Sequence, residues 1–276
     1  MLGKRIISGL IGGVITIGVI YEGNWLFFIF MMLLAVLAWK EYAQLMDKVS
    51  VQVPLRAGMV WLLCFLGTIW CGAWQAVLLM GAILLYGLLL QPVFRHQYST
   101  LRDVAYSLLG LVYVGIGFAA LLVLRCGNLG LQLSDQFSSQ FIDPSRILVF
   151  LLIFATWASD TCAFFVGKFW GRHKLCPSIS PGKTREGMVG GIAGTIVVAL
   201  AVAVWGQFSL LHGGVLGILI AFTAPAGDLI ESIMKRTCRT KDSGALIPGH
   251  GGVLDRFDSL LLAAPVVCVY LYFIAR

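Results

Sequence analysis

Residues 225–259 read PAGDLIESIMKRTCRTKDSGALIPGHGGVLDRFDS, and here an apolar chain concentrates five acidic and five basic residues among glycines. Apolar segments flank the stretch on both sides. Asp228, Glu231, Ser232, Lys235 and Arg239 recur at i, i+3, i+4, i+7 and i+11, so at about 100° per residue they share one stripe of a helix. Ile230, Ile233 and Met234 point elsewhere on that helix. A charge at mid-membrane costs roughly 2.5–3.5 kcal/mol on insertion scales, so the stripe should line a wet or protein-packed cavity. The second half reads as a loop, in which Gly244, Gly249, Gly251 and Gly252 permit tight turns and close approach to a ligand. Asp255 and Asp258 then fall on the first turn of a following helix. Hard carboxylates from two helices suit Mg²⁺, with phosphate oxygens and water filling the remaining positions. Lys235, Arg236, Arg239, Lys241 and Arg256 stand around them. Carboxylates for a metal beside cations for phosphate describe a nucleotide or polyphosphate site.

The composition sets the surroundings of that site. Of 276 residues, 59% are hydrophobic and only 12% charged, against about 25% charged in a soluble globular chain. The expected fold is all-α, a polytopic membrane helical bundle forming a single integral-membrane domain over residues 1–276. Nine apolar segments can be drawn: Arg5–Tyr21, Asn24–Trp39, Ala57–Gly72, Ala73–Leu90, Ala105–Leu124, Arg146–Val166, Gly187–Gly206, Gly213–Met234 and Ser259–Ala275. Met1–Tyr21 lacks a small-residue cleavage site and is kept as the first span rather than a signal peptide. With the amino terminus in the cytoplasm, 17 of the 20 Lys and Arg residues fall on the cytoplasmic side; only Arg125, Arg146 and Arg276 do not. This places 225–259 at the cytoplasmic face. The net charge of +7 then belongs to loops beside anionic lipid, and nucleic acid is excluded as a partner. The seven cysteines form no CxxC pair and read as small buried hydrophobes, not as a zinc site. The loop Cys126–Ser145 is polar but holds no cation, and reads as a non-cytoplasmic surface loop.

A second polar concentration, residues 157–187, reads WASDTCAFFVGKFWGRHKLCPSISPGKTREG. Asp160 lies near the cytoplasmic end of the sixth apolar segment, and five cations follow with Ser178, Ser180 and Thr184. Lys183 and Arg185 can meet phosphates while hydroxyls and backbone N–H groups hold oxygens. The expected cavity takes one wall from Asp228, Glu231, Ser232 and Lys235, a second from Asp255 and Asp258, and a third from Asp160 and Lys183.

Ser232-x-x-Lys235-Arg236, Lys241-Asp242-x-Gly244 and Pro248-Gly249-His250-Gly251-Gly252-x-x-Asp255-Arg256-x-Asp258 together resemble the signature of the phosphatidate cytidylyltransferases, in their bacterial integral-membrane form. Ser180-Pro181-x-Lys183-Thr184-x-Glu186-Gly187 resembles a second, less specific block of the same family. The resemblance implies the reaction of CTP with phosphatidic acid to give CDP-diacylglycerol and pyrophosphate, in the bacterial inner membrane, with the site facing the cytoplasm. It implies Mg²⁺, with room for a second cation. Asp228 and Asp255 are the expected metal ligands, and Asp258 or Glu231 is left to assist a second cation or orient Lys235. Lys235, Asp255, Arg256 and Asp258 are the expected catalytic residues. Substrate binding is expected at Ser232, Lys235, Arg236, Lys183, Thr184, His250, Gly251 and Gly252. A homodimer is compatible with this reading. A CTP-dependent lipid-alcohol kinase would need a similar triphosphate site, but the extended HGGxxDRFD block favours the cytidylyltransferase. An ion- or proton-coupled transporter using Asp160, Asp228 and Glu231 would be supported by inverted internal symmetry, which the sequence does not display.

Overall fold

The computed structural model describes residues 2–94, 99–126, 143–244, 246 and 251–274, with side chains from Gly9 onward. Among these, nine helices follow in order: α1 (Leu2–Glu22), α2 (Asn24–Asp47), α3 (Leu55–Trp70), α4 (Trp74–Phe94), α5 (Leu101–Cys126), α6 (Pro144–Trp170), α7 (Arg185–Trp205), α8 (Leu210–Thr237) and α9 (Leu254–Ile274). Each expected apolar segment falls on one of them. Seven are long and apolar enough to cross a membrane; the described part of α1, Gly9–Glu22, and α3 are shorter. Large apolar side chains stand on the outside, such as Leu78 at 81% and Phe273 at 71% exposure. Surface of that kind is stable against lipid rather than water. The protein is a polytopic helical membrane protein.

Two departures from the expected pattern have plain causes. The fold is not purely helical: β1 (Lys174–Cys176) and β2 (Ser180–Thr184) pair antiparallel. Pro177 pre-sets the turn between them, and the N–H of Ile179 closes it on the carbonyl of Cys176 at 3.2 Å. The cysteines are also not uniformly buried. Only Cys238 is, while Cys64 and Cys71 are exposed, because in a membrane protein the outer face is apolar as well. The loop Cys126–Ser145 lies mostly outside the described residues.

Local sequence explains where the helices begin and end. Thr100 and Asp103 form a capping box at the start of α5: Asp103 accepts from the N–H and hydroxyl of Thr100, and the Thr100 hydroxyl accepts from the N–H of Asp103. Asp143 caps α6 through the N–H of Ser145, with Pro144 in the first turn. At the other end of α8, Arg239 turns left-handed (φ 52°), its N–H reaching Arg236 and the N–H of Thr240 reaching Lys235. The helical stripe drawn in the sequence therefore ends at Lys235, and Arg239 lies beyond it.

The chain divides into two compact units, Met1–Asn128 with Met234–Phe257, and Leu129–Ile233 with Asp258–Arg276. In the first, α5 is the most deeply packed helix. Trp39 and Tyr42 of α2 are fully buried and fill the space left by Gly58 of α3 and Gly110 of α5. Their polar ends are satisfied, Trp39 Nε1 by the Leu55 carbonyl at 3.0 Å and Tyr42 Oη by the Tyr106 carbonyl at 2.7 Å. Arg125, at the end of α5 and buried, donates to the carbonyls of Ile20 (2.7 Å) and Tyr21 (3.2 Å), the last turn of α1. Arg125→Ala should lower stability by about 2 kcal/mol, because charged hydrogen bonds to buried carbonyls are lost. Thermal unfolding in detergent measures it. In the second unit α6 and α7 lie closely side by side. Gly187, Gly190, Gly191 and Gly194 repeat at helical spacing along α7, and a Cβ at any of them would press on α6, at Ala163, Val166, Ser159 or Cys162.

Candidate active site

Asp228, Glu231 and Asp258 group inside the second unit, and Lys235 and Asp255 pair inside the first. In the second unit Asp228 of α8 and Asp258 of α9 are brought close by Gly227. A Cβ at Gly227 would lie 2.5 Å from the Asp258 carbonyl oxygen and 2.9 Å from Ser259 Cα, so the backbones touch where both carboxylates leave them. One oxygen each from Asp228, Glu231 and Asp258 lie within 4.8 Å of one another. Glu231 and Asp258 are buried and Asp228 is half-buried. Three carboxylates this close repel one another unless a cation joins them, and all-oxygen donors select hard ions.

Beside this group is a cavity of about 460 Å³ lined by Asp160, Lys183, Thr184, Gly187 and Asp228, among others. Lys183 Nζ reaches Asp228 Oδ2 at 2.6 Å and the Pro225 carbonyl at 3.4 Å. Lys183 is carried by β2, so the hairpin is what aims it. Thr184, expected to bind substrate, also has a local structural task. Its hydroxyl accepts from the N–H of Gly187 and caps α7, and the residue is buried. Ser232 is buried too, with its hydroxyl 3.5 Å from Asp228 Oδ1.

In the first unit the centre is Asp255. Its Oδ1 accepts from Lys235 Nζ at 2.7 Å. Its Oδ2 accepts from the Ser243 N–H (2.9 Å), the Ser243 hydroxyl (2.9 Å) and the Gly252 N–H (2.8 Å). The two side chains are 12% and 7% exposed, so this is a buried ion pair at the start of α9. Both oxygens are in use. Among the described residues, the carboxylates grouped with Asp228 are Glu231 and Asp258. Gly251 has φ 84°, a backbone that favours glycine, and a Cβ there would meet Asp255 Oδ2. Arg236 and Arg256 are exposed, and Arg236 reaches the Thr240 carbonyl at 3.1 Å. His250 lies outside the described residues. Asp255→Ala removes the acceptor of four hydrogen bonds, one of them ionic. It should cost about 3–5 kcal/mol of stability, more than Lys235→Met, which leaves three of the four in place. Thermal unfolding of both variants decides the order.

The profile of the cytidylyltransferase family matches residues 3–274. The chain belongs to the cytidylyltransferase family. It is 36% identical over 281 positions to the phosphatidate cytidylyltransferase of Synechocystis sp., covering 96% of this chain and 94% of the relative. It is 31% identical over 271 positions to that of Staphylococcus aureus strain COL, covering 97% and 98%. The Staphylococcus epidermidis relative of the same name is 31% identical over 274 positions, covering 97% and 98%. The resemblance of the motifs thus extends over the whole chain. As a cytidylyltransferase-family member the chain has two side chains near the signature that sequence reasoning passed over. Ser243 occupies an unspecified position inside the signature, yet is buried and bonds Asp255 twice. Glu41 ends an apolar segment far away in sequence, and its carboxylate sits against Ser243, Val253 and Leu254. The one signal for it was an acid two residues after the second apolar run, in WKEYAQLMD.

Proposed function

We propose that the chain is a phosphatidate cytidylyltransferase, joining CTP and phosphatidic acid to give CDP-diacylglycerol and pyrophosphate. The observation that carries this is identity of 31–36% to relatives of that name over nearly their full length. A phosphate oxygen of phosphatidic acid attacks the α-phosphorus of CTP, the bond from that phosphorus to the bridging oxygen breaks, and pyrophosphate leaves. The nucleophile is already ionised, so the protein mainly neutralises two anions and holds them in line. The reading requires Mg²⁺, and Asp228, Glu231 and Asp258 fit it by donor type and mutual distance. When bound, the ion would neutralise phosphate charge and leave room for a second cation.

Lys183, exchanging Asp228 for an anionic oxygen, would hold phosphate in the cavity beside α7. Lys235, Arg236 and Arg256 are assigned to phosphate charge of the triphosphate or the lipid. Asp255, expected as a metal ligand, is assigned instead to holding Lys235, because both its oxygens are taken. Nine spans, a cytoplasmic amino terminus and a site facing the cytoplasm of a bacterial inner membrane complete the reading, supported by the distribution of Lys and Arg. A single membrane domain, forming a homodimer, is proposed with it.

Product identity tests the proposal. Protein in detergent is given CTP, Mg²⁺ and phosphatidic acid. A CMP-bearing lipid with pyrophosphate is the expected result. CDP formed only when a lipid alcohol is supplied would replace the reading with a kinase, and folded protein that consumes no CTP would point to transport.

A further inference from the structure

Glu41 lies near the end of α2 and is 5% exposed. Its Oε1 accepts from the N–H of Val253 and its Oε2 from the N–H of Leu254, both at 2.9 Å, while the Ser243 hydroxyl stands 3.5 Å from Oε2. Val253 is the residue just before α9, at its N-cap position, since its carbonyl takes the N–H of Arg256 and of Phe257. A valine at this position has no side-chain oxygen and cannot cap. The missing local cap is supplied by a carboxylate 212 residues away. The loop leaves room for it. A Cβ on Gly244 would lie 2.7 Å from Glu41 Oε1, and one on Gly252 would collide with Oε2 and with Ser243 Oγ. Ser243 and Gly252 are also the residues whose N–H groups hold Asp255 Oδ2.

We infer that Glu41 is a positioning residue for nucleotidyl transfer: from α2 it clamps the first turn of α9, and through Ser243 and Gly252 it sets where Asp255 holds Lys235. This rests on the function proposed above. Glu41 touches no reacting atom. Its carboxylate binds two successive N–H groups with two oxygens, which an amide of the same size cannot do, because one of its two heavy atoms is a donor.

The test is Glu41→Gln in full-length protein in detergent, followed by steady-state rates and by hydrogen exchange of the peptide spanning residues 251–257. The expected result is a kcat about 10–100-fold lower, with amide exchange about tenfold faster at Val253 and Leu254. Gly244→Ala keeps the carboxylate but fills its place, and should show the same pair of changes; it carries both readings alone if Glu41→Gln does not fold. Wild-type kcat in the folded variant overturns the inference. So does a lowered kcat with unchanged exchange at those two amides. If the unaltered chain makes no CDP-diacylglycerol, the proposed function fails, and exchange by itself then decides whether Glu41 clamps α9.

Discussion

Asp258→Asn should lower the rate of CDP-diacylglycerol formation by about a thousandfold or more while leaving the protein folded. Asn has the volume of Asp, so the contact of α9 with Gly227 is kept. What goes is one of three negative charges whose oxygens lie within 4.8 Å of one another. Without a metal ion the three repel, an effect that Lys183 on Asp228 relieves in part, so the variant should be at least as heat-stable as the unaltered protein in the presence of a chelator. Added Mg²⁺ should reverse that order. An ion bound at 100 times its dissociation constant stabilises the folded state by about 2.7 kcal/mol, and the variant should lose most of this gain. Initial rates and unfolding temperatures with Mg²⁺ and with chelator measure both effects. Asp228→Asn should behave alike, with a further change because Lys183 loses its ionic partner. Turnover close to wild type in either variant would remove the metal assignment.

Gly227→Ala is expected to cost about a hundredfold in activity, by a different route. The added methyl would meet backbone, 2.5 Å from the Asp258 carbonyl oxygen and 2.9 Å from Ser259 Cα, so no side-chain rotation relieves it. The helices must part. Overpacking of this kind costs about 1–3 kcal/mol of stability. The larger effect is geometric: a displacement of about 1 Å at reacting groups costs roughly a hundredfold in rate. Gly214→Ala on the same helix is the control, since its Cβ would meet only Leu200 Cδ2 at 3.8 Å, an ordinary contact. It should be neutral or slightly stabilising, by up to about 1 kcal/mol. Equal rates for the two alanine variants would show that the close contact at Gly227 is unimportant.

Much of this arrangement is legible in sequence because membrane helices are written in local terms. Long apolar runs mark α4 and α7 closely. The spacing of Asp228 and Glu231 correctly puts them on one stripe of α8. The hairpin was less visible. Its strands have three and five residues, too short for any period to show, and only Pro177 marks the turn. The roles of Asp255 and Asp258 could not be separated either. Both lie near the start of α9, three residues apart, but Asp255 takes the loop's N–H groups while Asp258 joins the carboxylates of α8. That division depends on which way α9 is rotated, which is set by packing and not by spacing. Glu41 was hidden for the same reason, since its partners lie more than 200 residues further on.

The glycine face of α7 has a consequence for how the chain is built. α6 and α7 are consecutive, joined by a tight two-stranded turn, and pack backbone against backbone at Gly187 and Gly191, with Gly190 and Gly194 receiving the side chains of Val166 and Cys162. Contacts between neighbours in sequence cost little loop-closure entropy and form early. The pair can therefore assemble as soon as α7 has entered the bilayer, with Lys183 already aimed by β2 and waiting. Asp228 arrives later on α8, and Asp258 last of all on α9. The acidic cluster is thus completed only by α9, so a chain released before α9 would carry a finished hairpin bearing Lys183 but no complete set of carboxylates.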